Sequence, residues 1–316
     1  MKKLLNGVAL SVLLSTAAMA QDPVKLGVGI FAFDDVWTSV LRNGIADYAA
    51  SIGVEAQVED GQNDVAKQLD QIKNFVASGV SAIVLQPVDT SATQAMSDAA
   101  EAAGIPLVFV NREPVNIDTL PDNQAFVASN EVDSGTLQTI QMCDNWAAEG
   151  KTEVNAYIMI GDLANQGAIQ RTKDVHDVIA AGKCKVKLNI IDEQTANWQR
   201  DAAANLMTNW LTNGTPFDGV IANNDEMALG AIQAMKAAGI DMATVQVGGI
   251  DATQEALVAM QAGDLDVTVF QDAAGQGKAA VDAAVALAKG EAVDKTVWVP
   301  FVLVTPDNVT DFVAKN

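Results

Sequence analysis

From Pro23 onward, short apolar runs alternate with longer segments whose apolar positions recur at helical spacing. "VKLGVGIFAF" (24–33), "VEAQVE" (54–59), "VSAIVLQ" (80–86) and "IPLVFVN" (105–111) read as strands. Between them, "VWTSVLRNGIADYAASIG", "DVAKQLDQIKNFVASG" and "TSATQAMSDAAEAAG" read as helices that stop at Gly53, Gly79 and Gly104. A glycine there takes the left-handed conformation that closes a helix. Strands rich in Val and Ile with little polar alternation are buried on both faces, which requires helices on both sides of the sheet. Repeated βα units of this kind predict a parallel, doubly wound sheet.

The pattern then recurs. "TEVNAYIMIG", "KVKLNII", "FDGVIA" and "ATVQVGG" read as strands, and "AIQRTKDVHDVIAAG", "RDAAANLMTNWLTNG" and "EMALGAIQAMKAAG" as the helices between them. One echo joins the halves. "AIVLQPVDTSATQAMSDAAEAAGI" and "GVIANNDEMALGAIQAMKAAGI" are each a strand, a polar turn with Asp, and a helix closing on Ala-Ala-Gly-Ile. The expected fold class is therefore α/β: two doubly wound parallel-sheet lobes in tandem, with no low-complexity linker.

The first twenty residues stand outside this pattern. Lys2 and Lys3 precede the apolar run Leu4–Leu14, and Ala18-Met19-Ala20 closes the segment. That order predicts a secretory signal peptide over residues 1–20, cleaved before Gln21, and so export. The residue directly after the cleavage point is Gln21 and not a Cys, and no later run is long and apolar enough to span a bilayer. The chain carries a net charge of −21, which argues against nucleic acid or anionic lipid as a partner. Cys143 and Cys184 are the only cysteines; in an oxidising compartment they form one disulfide or remain two buried thiols. His176, the one histidine, falls beside Asp177 on a helix and is expected at the surface. Without a His/Cys cluster, neither a transition metal nor a cofactor is expected.

In open α/β sheets, ligands bind beyond the carboxyl ends of the strands. The first strand runs into Phe31, Phe33, Asp34, Asp35 and Trp37, the second into Asp60, Gln62 and Asn63, the third into Gln86 and Asp89, and the fourth into Asn111, Arg112 and Glu113. The later strands lead to Asn165 and Arg171, Trp198, Asn224 and Asp225, Asp251, and, after "DVTVF", Gln271. Aromatic faces with Asn, Asp, Gln and Arg suit a polyol. The polar groups donate to and accept from hydroxyls, and the rings cover C–H faces. Singly, each residue has a plainer role: Asp64, Asp89 and Asp225 as helix N-caps, Phe31, Phe33 and Trp37 as core. Other chemistries fit less well. "GVGIFA" lacks the third glycine of a dinucleotide loop, no phosphate loop or G-x-S-x-G elbow occurs, and no His stands ready to serve a Ser nucleophile. Carboxylate pairs such as Asp34-Asp35 suggest glycosidase chemistry, but these two sit in a single turn and need not flank a bond.

The stretches "IFAFDDVWTSVLRNGI", "DGQNDVAKQLDQIKNFVASGVSAI", "FVNREP", "ANW", "VIANNDEMALGAI", "GGIDATQEAL" and "TVFQDAAGQGKAA" resemble the periplasmic galactose/glucose- and ribose-binding proteins, sugar receptors of ATP-driven importers. The resemblance covers essentially the whole chain after the leader. It implies two lobes joined by three crossings, near Ser129, Gln271 and Pro300. One lobe would comprise 21–129 plus 272–299, the other 130–271 plus 300–316. It further implies ligand contacts from Phe31, Asp35, Trp37, Asn111, Arg112, Arg171, Trp198, Asn224, Asp251 and Gln271, with Trp37 and Trp198 as stacking faces. Asp35 and Asn111 resemble the hexose receptor, whereas Arg112 resembles the ribose receptor, which has Asp-Arg where this chain has Asn-Arg. Where the hexose receptor has a His and an Asp, "GDLANQGAIQR" offers Asn165 and Gly167. The site is thereby opened to another aldose or to a cyclitol such as myo-inositol. The hexose receptor's calcium loop has no counterpart near "AAEGKTEVNAY", so no bound calcium is expected. The implied location is the periplasm, and the implied partners are a small sugar or cyclitol and an inner-membrane ABC permease, with a chemoreceptor compatible and a monomer expected. An enzyme and a sugar-responsive repressor are the alternatives; the repressor would need a DNA-binding helix pair and a basic surface.

Overall fold

The computed structural model describes residues 23–315; the leader expected over 1–20 lies outside the described residues. In chain order the first elements are β1 (Lys25–Ile30), α1 (Val36–Ser51), β2 (Glu55–Asp60), α2 (Val65–Ser78), β3 (Ala82–Leu85), α3 (Thr93–Ala102), β4 (Leu107–Val110) and β5 (Gln124–Ala128). Then come α4 (Glu131–Ala148), β6 (Glu153–Ile160), α5 (Gln166–Ala180), β7 (Lys187–Thr195), α6 (Arg200–Thr212), β8 (Gly219–Ala222), α7 (Asp225–Ala237), β9 (Gln246–Gly248) and α8 (Gln254–Gln261). The chain closes with β10 (Thr268–Phe270), α9 (Ala273–Ala288), β11 (Thr296–Trp298) and β12 (Val302–Val304).

Two parallel sheets result. The first has the order β11-β5-β4-β3-β1-β2 and the second β7-β6-β8-β9. Single parallel bridges at Gly248–Val267 and Asp251–Phe270 extend the second sheet toward β10, which pairs antiparallel with β12. Setting aside β11, each lobe thus repeats one winding, with its first strand inside its second. The echo between the halves seen in sequence is an echo of topology. Each sheet has a switch point, between β1 and β3 and between β6 and β8, where successive helices leave to opposite faces.

The apolar runs alternate between two cores. In β3 and β4, Ala82, Val84, Val108 and Val110 pack toward α1 and α9, while Ile83, Leu85, Leu107 and Phe109 pack toward α2 and α3. In β6, Tyr157 and Met159 join one core and Ala156 and Ile158 the other. Gly27 belongs to this packing: a Cβ there would lie 2.5 Å from Phe75 of α2. The "GVG" run therefore lets a helix approach the sheet. Cys143 of α4 and Cys184 are disulfide-bonded, with Cα atoms 5.2 Å apart. His176 is exposed, 2.7 Å from Glu193 Oε2.

Several expectations need adjustment. Strand β1 stops at Ile30, so Phe31 already belongs to the turn, and β7 continues to Thr195. Asp64 and Asp89 do cap helices, accepting from Ala66 and Ser91 N–H groups. Asp225 does not. Asn224 is the N-cap of α7, accepting from Met227 N–H at 3.0 Å, and Asp225 is the first helical residue with its carboxylate turned into the core. A residue one position earlier reaches the N3 amide because its extended backbone (φ −149, ψ 171) aims the side chain back over the helix end.

Candidate functional site

The carboxyl ends of both sheets face one another across a small cleft. Its walls include Phe31, Asp35, Trp37, Asn111, Arg112, Arg171, Trp198, Asn224, Asp251 and Gln271, all ten residues singled out from the sequence, together with Thr38, Gln86, Glu131 and Asn165. The centre of a water molecule can move through about 40 Å³ of it, which suits a compact ring. Thr38 and Glu131 were missed. Thr38 comes directly after Trp37, and Glu131 opens α4, an element the apolar pattern did not pick out.

On the first wall, the turn after β1 brings Phe31 beneath Arg112. The guanidinium carbon lies 3.6 Å from the ring centroid, and Nη1 donates to the Val88 and Pro87 carbonyls at 2.7 and 3.2 Å. Burial lowers the Arg112 pKa to about 10, with Asp35, Asp162 and Asp89 opposing the fall, so the group stays cationic. Asp35 caps α1 through Oδ1, accepting from Thr38 N–H at 2.7 Å. The Trp37 indole donates to the Gln271 carbonyl at 2.9 Å, spanning the two sheets.

On the second wall, Arg171 of α5 is clasped by Glu131. Nε and Nη2 donate to its two carboxylate oxygens at 2.7 and 3.0 Å, and Nη1 donates to the Asn223 carbonyl at 2.7 Å. Nη2 also reaches Gln271 Oε1 at 3.3 Å, and Asp251 Oδ1 lies 4.0 Å from Nη1. Burial pulls the Arg171 pKa down, but Glu131, Asp251 and Asp225 outweigh it and the pKa rises. Trp198 packs over Gly161, where a Cβ would come within 2.3 Å of the indole. Asp251 and Ala252 have φ of 127° and 53°, unusual for residues with side chains. Asp225 fixes this bend: its carboxylate accepts from Thr253 N–H at 2.8 Å and Thr268 Oγ1 at 2.7 Å. Burial raises the Asp225 pKa to about 6, opposed by those hydrogen bonds, and raises that of Asp251 well above its ordinary value despite Arg171. Asn111 and Trp198 are also left-handed, at φ 66° and 67°. Strained backbone thus recurs around the cleft, where the surrounding bonds hold it.

Direct hydrogen bonds also cross the cleft away from its centre. Thr90 donates to the Ala164 carbonyl twice, from N–H at 3.0 Å and from Oγ1 at 3.2 Å. The arrangement offers recognition. Donors, acceptors and rings converge from two sheets, and among the described residues no group of three or more His, Cys, Asp or Glu could hold a metal ion.

A Rhizobium meliloti protein named for rhizopine binding is 59% identical over the full length of both chains. A solved ABC-transporter solute-binding protein of Bacillus halodurans with bound myo-inositol is 39% identical, covers 93% of this chain and 98% of its own, and superposes with a TM-score of 0.85. The Caulobacter myo-inositol-binding protein, bound to myo-inositol, is 31% identical over 91% and 95% of the two chains, with a TM-score of 0.83. The model of the periplasmic binding protein domain matches residues 26–292, and the chain belongs to that family.

Proposed function

We propose that this protein is the periplasmic receptor of an ABC importer that encloses one cyclitol or monosaccharide, with myo-inositol and its close relatives first among them. The carrying observation is the convergence of Asp35, Asn111, Arg112, Asn224, Asp251 and Gln271 with the Phe31, Trp37 and Trp198 rings on one small cavity. Asp accepts from hydroxyls, Arg donates to them, and Asn or Gln does either; the rings cover C–H faces. The likeness to two inositol-bound proteins supports a cyclitol over an aldose. In this reading all ten residues contact the solute. The lobes comprise 21–129 plus 272–299 and 130–271 plus 300–316, hinged near Ser129, Gln271 and Pro300. Closure of one lobe onto a solute held by the other completes the hydrogen-bond set. The closed shape is the form that the inner-membrane permease reads.

The leader over 1–20 is cleaved on export, the mature protein acts as a monomer, and a chemoreceptor is a compatible second reader. No chemistry is performed on the solute. The test is a thermal-shift panel of inositols, pentoses and hexoses, since a solute bound only by the folded state raises the midpoint. Mass spectrometry of the solute released on denaturing the purified protein should recover an unmodified cyclitol or sugar. No shift at millimolar concentration for any of them overturns the reading.

A further inference from the structure

The cavity is lined by three asparagine amides, and each has its carbonyl end engaged by the protein. Asn165 Oδ1 accepts from Gly167 N–H at 2.9 Å and Asn224 Oδ1 from Met227 N–H at 3.0 Å. A backbone N–H can be met only by an amide's oxygen, so helix capping fixes the orientation of these two side chains, and Asn224 Nδ2 in turn donates to the Trp198 carbonyl at 3.4 Å. Asn111 caps no helix. Its orientation is set instead by Gln86, at the end of β3, whose Nε2 lies 3.0 Å from Asn111 Oδ1 and 3.4 Å from Thr38 Oγ1. Gln86 is itself held. It is 1% exposed, its main-chain N–H donates to the Gly29 carbonyl at 2.8 Å, and its main-chain carbonyl accepts from Gln68 Nε2 at 2.8 Å. Its side chain lines the cavity, where Oε1 is buried without a hydrogen-bond partner among the described residues.

We propose that Gln86 is a positioning residue that sets the specificity of this site: by donating to Asn111 Oδ1 it turns the Asn111 NH2 toward the solute and makes that position a hydrogen-bond donor. The inference rests on the reading that a polyol occupies the cavity. Asn111 then meets an oxygen lone pair on the ring, while Asp35 accepts a hydrogen bond from a hydroxyl. Gln86 Oε1 remains an acceptor on the same wall. An aspartate at 111 would reverse the assignment, because Gln86 would occupy one carboxylate oxygen and the other would face the solute as an acceptor.

The reversal gives the test. Isothermal titration of myo-inositol, scyllo-inositol, D-ribose, D-galactose and xylitol first identifies the best ligand of the wild type. For that ligand, Asn111→Asp is expected to weaken binding about 100-fold and Gln86→Leu about tenfold. Gln86→Leu in an Asn111→Ala background should cost less than about a further threefold, since Gln86 acts through Asn111. A merely structural role for Gln86 would instead make the two losses multiply. Gln86→Met serves the same cycle should the leucine variant fail to fold. The proposal is overturned if Asn111→Asp binds within about threefold of wild type, or if the Gln86 and Asn111 effects multiply. Wild-type protein that binds none of the five sinks the polyol reading itself, and with it the role of Gln86.

Discussion

On the β1–β4 wall of the cleft, Arg112 lies against the Phe31 ring and gives protons to two main-chain carbonyls. Across from it, Arg171 is gripped by both oxygens of Glu131. Both guanidinium groups are buried, yet only the second has its charge matched by a directly bonded carboxylate. The inequality extends outward. Behind Arg171, the second lobe holds the carboxylates of Asp174, Asp225, Asp251 and Asp266, each raised in pKa chiefly by burial. It also holds the disulfide. The first wall presents a cation resting on a ring, and the second a network of charges that must be kept together.

The largest effect should come from separating the second pair. Arg171→Met leaves Glu131 buried and uncompensated, and is expected to lower stability by about 3–5 kcal/mol in urea unfolding. Adding Glu131→Gln should restore most of that loss, and failure to do so would break the comparison between the walls. Next comes the disulfide, which closes a separation of 41 residues in the second lobe. Cys143→Ser with Cys184→Ser should cost about 2–4 kcal/mol, measured by the same unfolding with reducing agent as a control.

Acidity should act in the opposite direction. A rise in the Asp225 pKa from 3.8 to about 6 means that, between those values, the folded state holds a proton that the unfolded chain has released. Stability therefore falls as pH rises through that window, by no more than about 3 kcal/mol for this group. Asp225→Asn should remove this group's share and make the dependence shallower, the shares of Asp174, Asp251 and Asp266 remaining, as seen in melting points collected from pH 4 to pH 7. Smallest is Arg112→Met, expected to cost about 1–2 kcal/mol of stability because it strands no bonded carboxylate, only two carbonyls and a ring face. Its binding loss, by titration, should nonetheless be large. A stability loss equal to that of Arg171→Met would erase the distinction.

Much of the fold and the cleft was legible in the residues, for physical reasons. Strands buried on both faces advertise themselves as apolar runs, and the polar or aromatic residues just beyond each run sit at a strand end; that places Phe31, Asn111, Asn224 and Asp251 without any knowledge of contacts. Pairings across the chain were not legible. Glu131 opens a helix that the apolar pattern does not pick out, and its partner Arg171 is 40 residues away. Gln86 stands in plain view at a strand end, but its bond to Asn111 depends on β3 and β4 lying side by side. The cap of α7 was misplaced by one residue because Asn and Asp are equally good caps; the backbone angles of Asn224 decide it. The disulfide stayed open until α4 and the segment before β7 were placed together.

The two bonds from Thr90 to Ala164 join the lobes with no solute among their atoms. Each hydrogen bond of this sort is worth about 1 kcal/mol, roughly a fivefold change in the ratio of shut to open molecules. That ratio sets the receptor's idling level. A permease that reads shape alone cannot tell a shut, vacant receptor from a loaded one. Tightening this contact would therefore raise affinity while sending more empty visitors to the membrane, and loosening it would do the reverse.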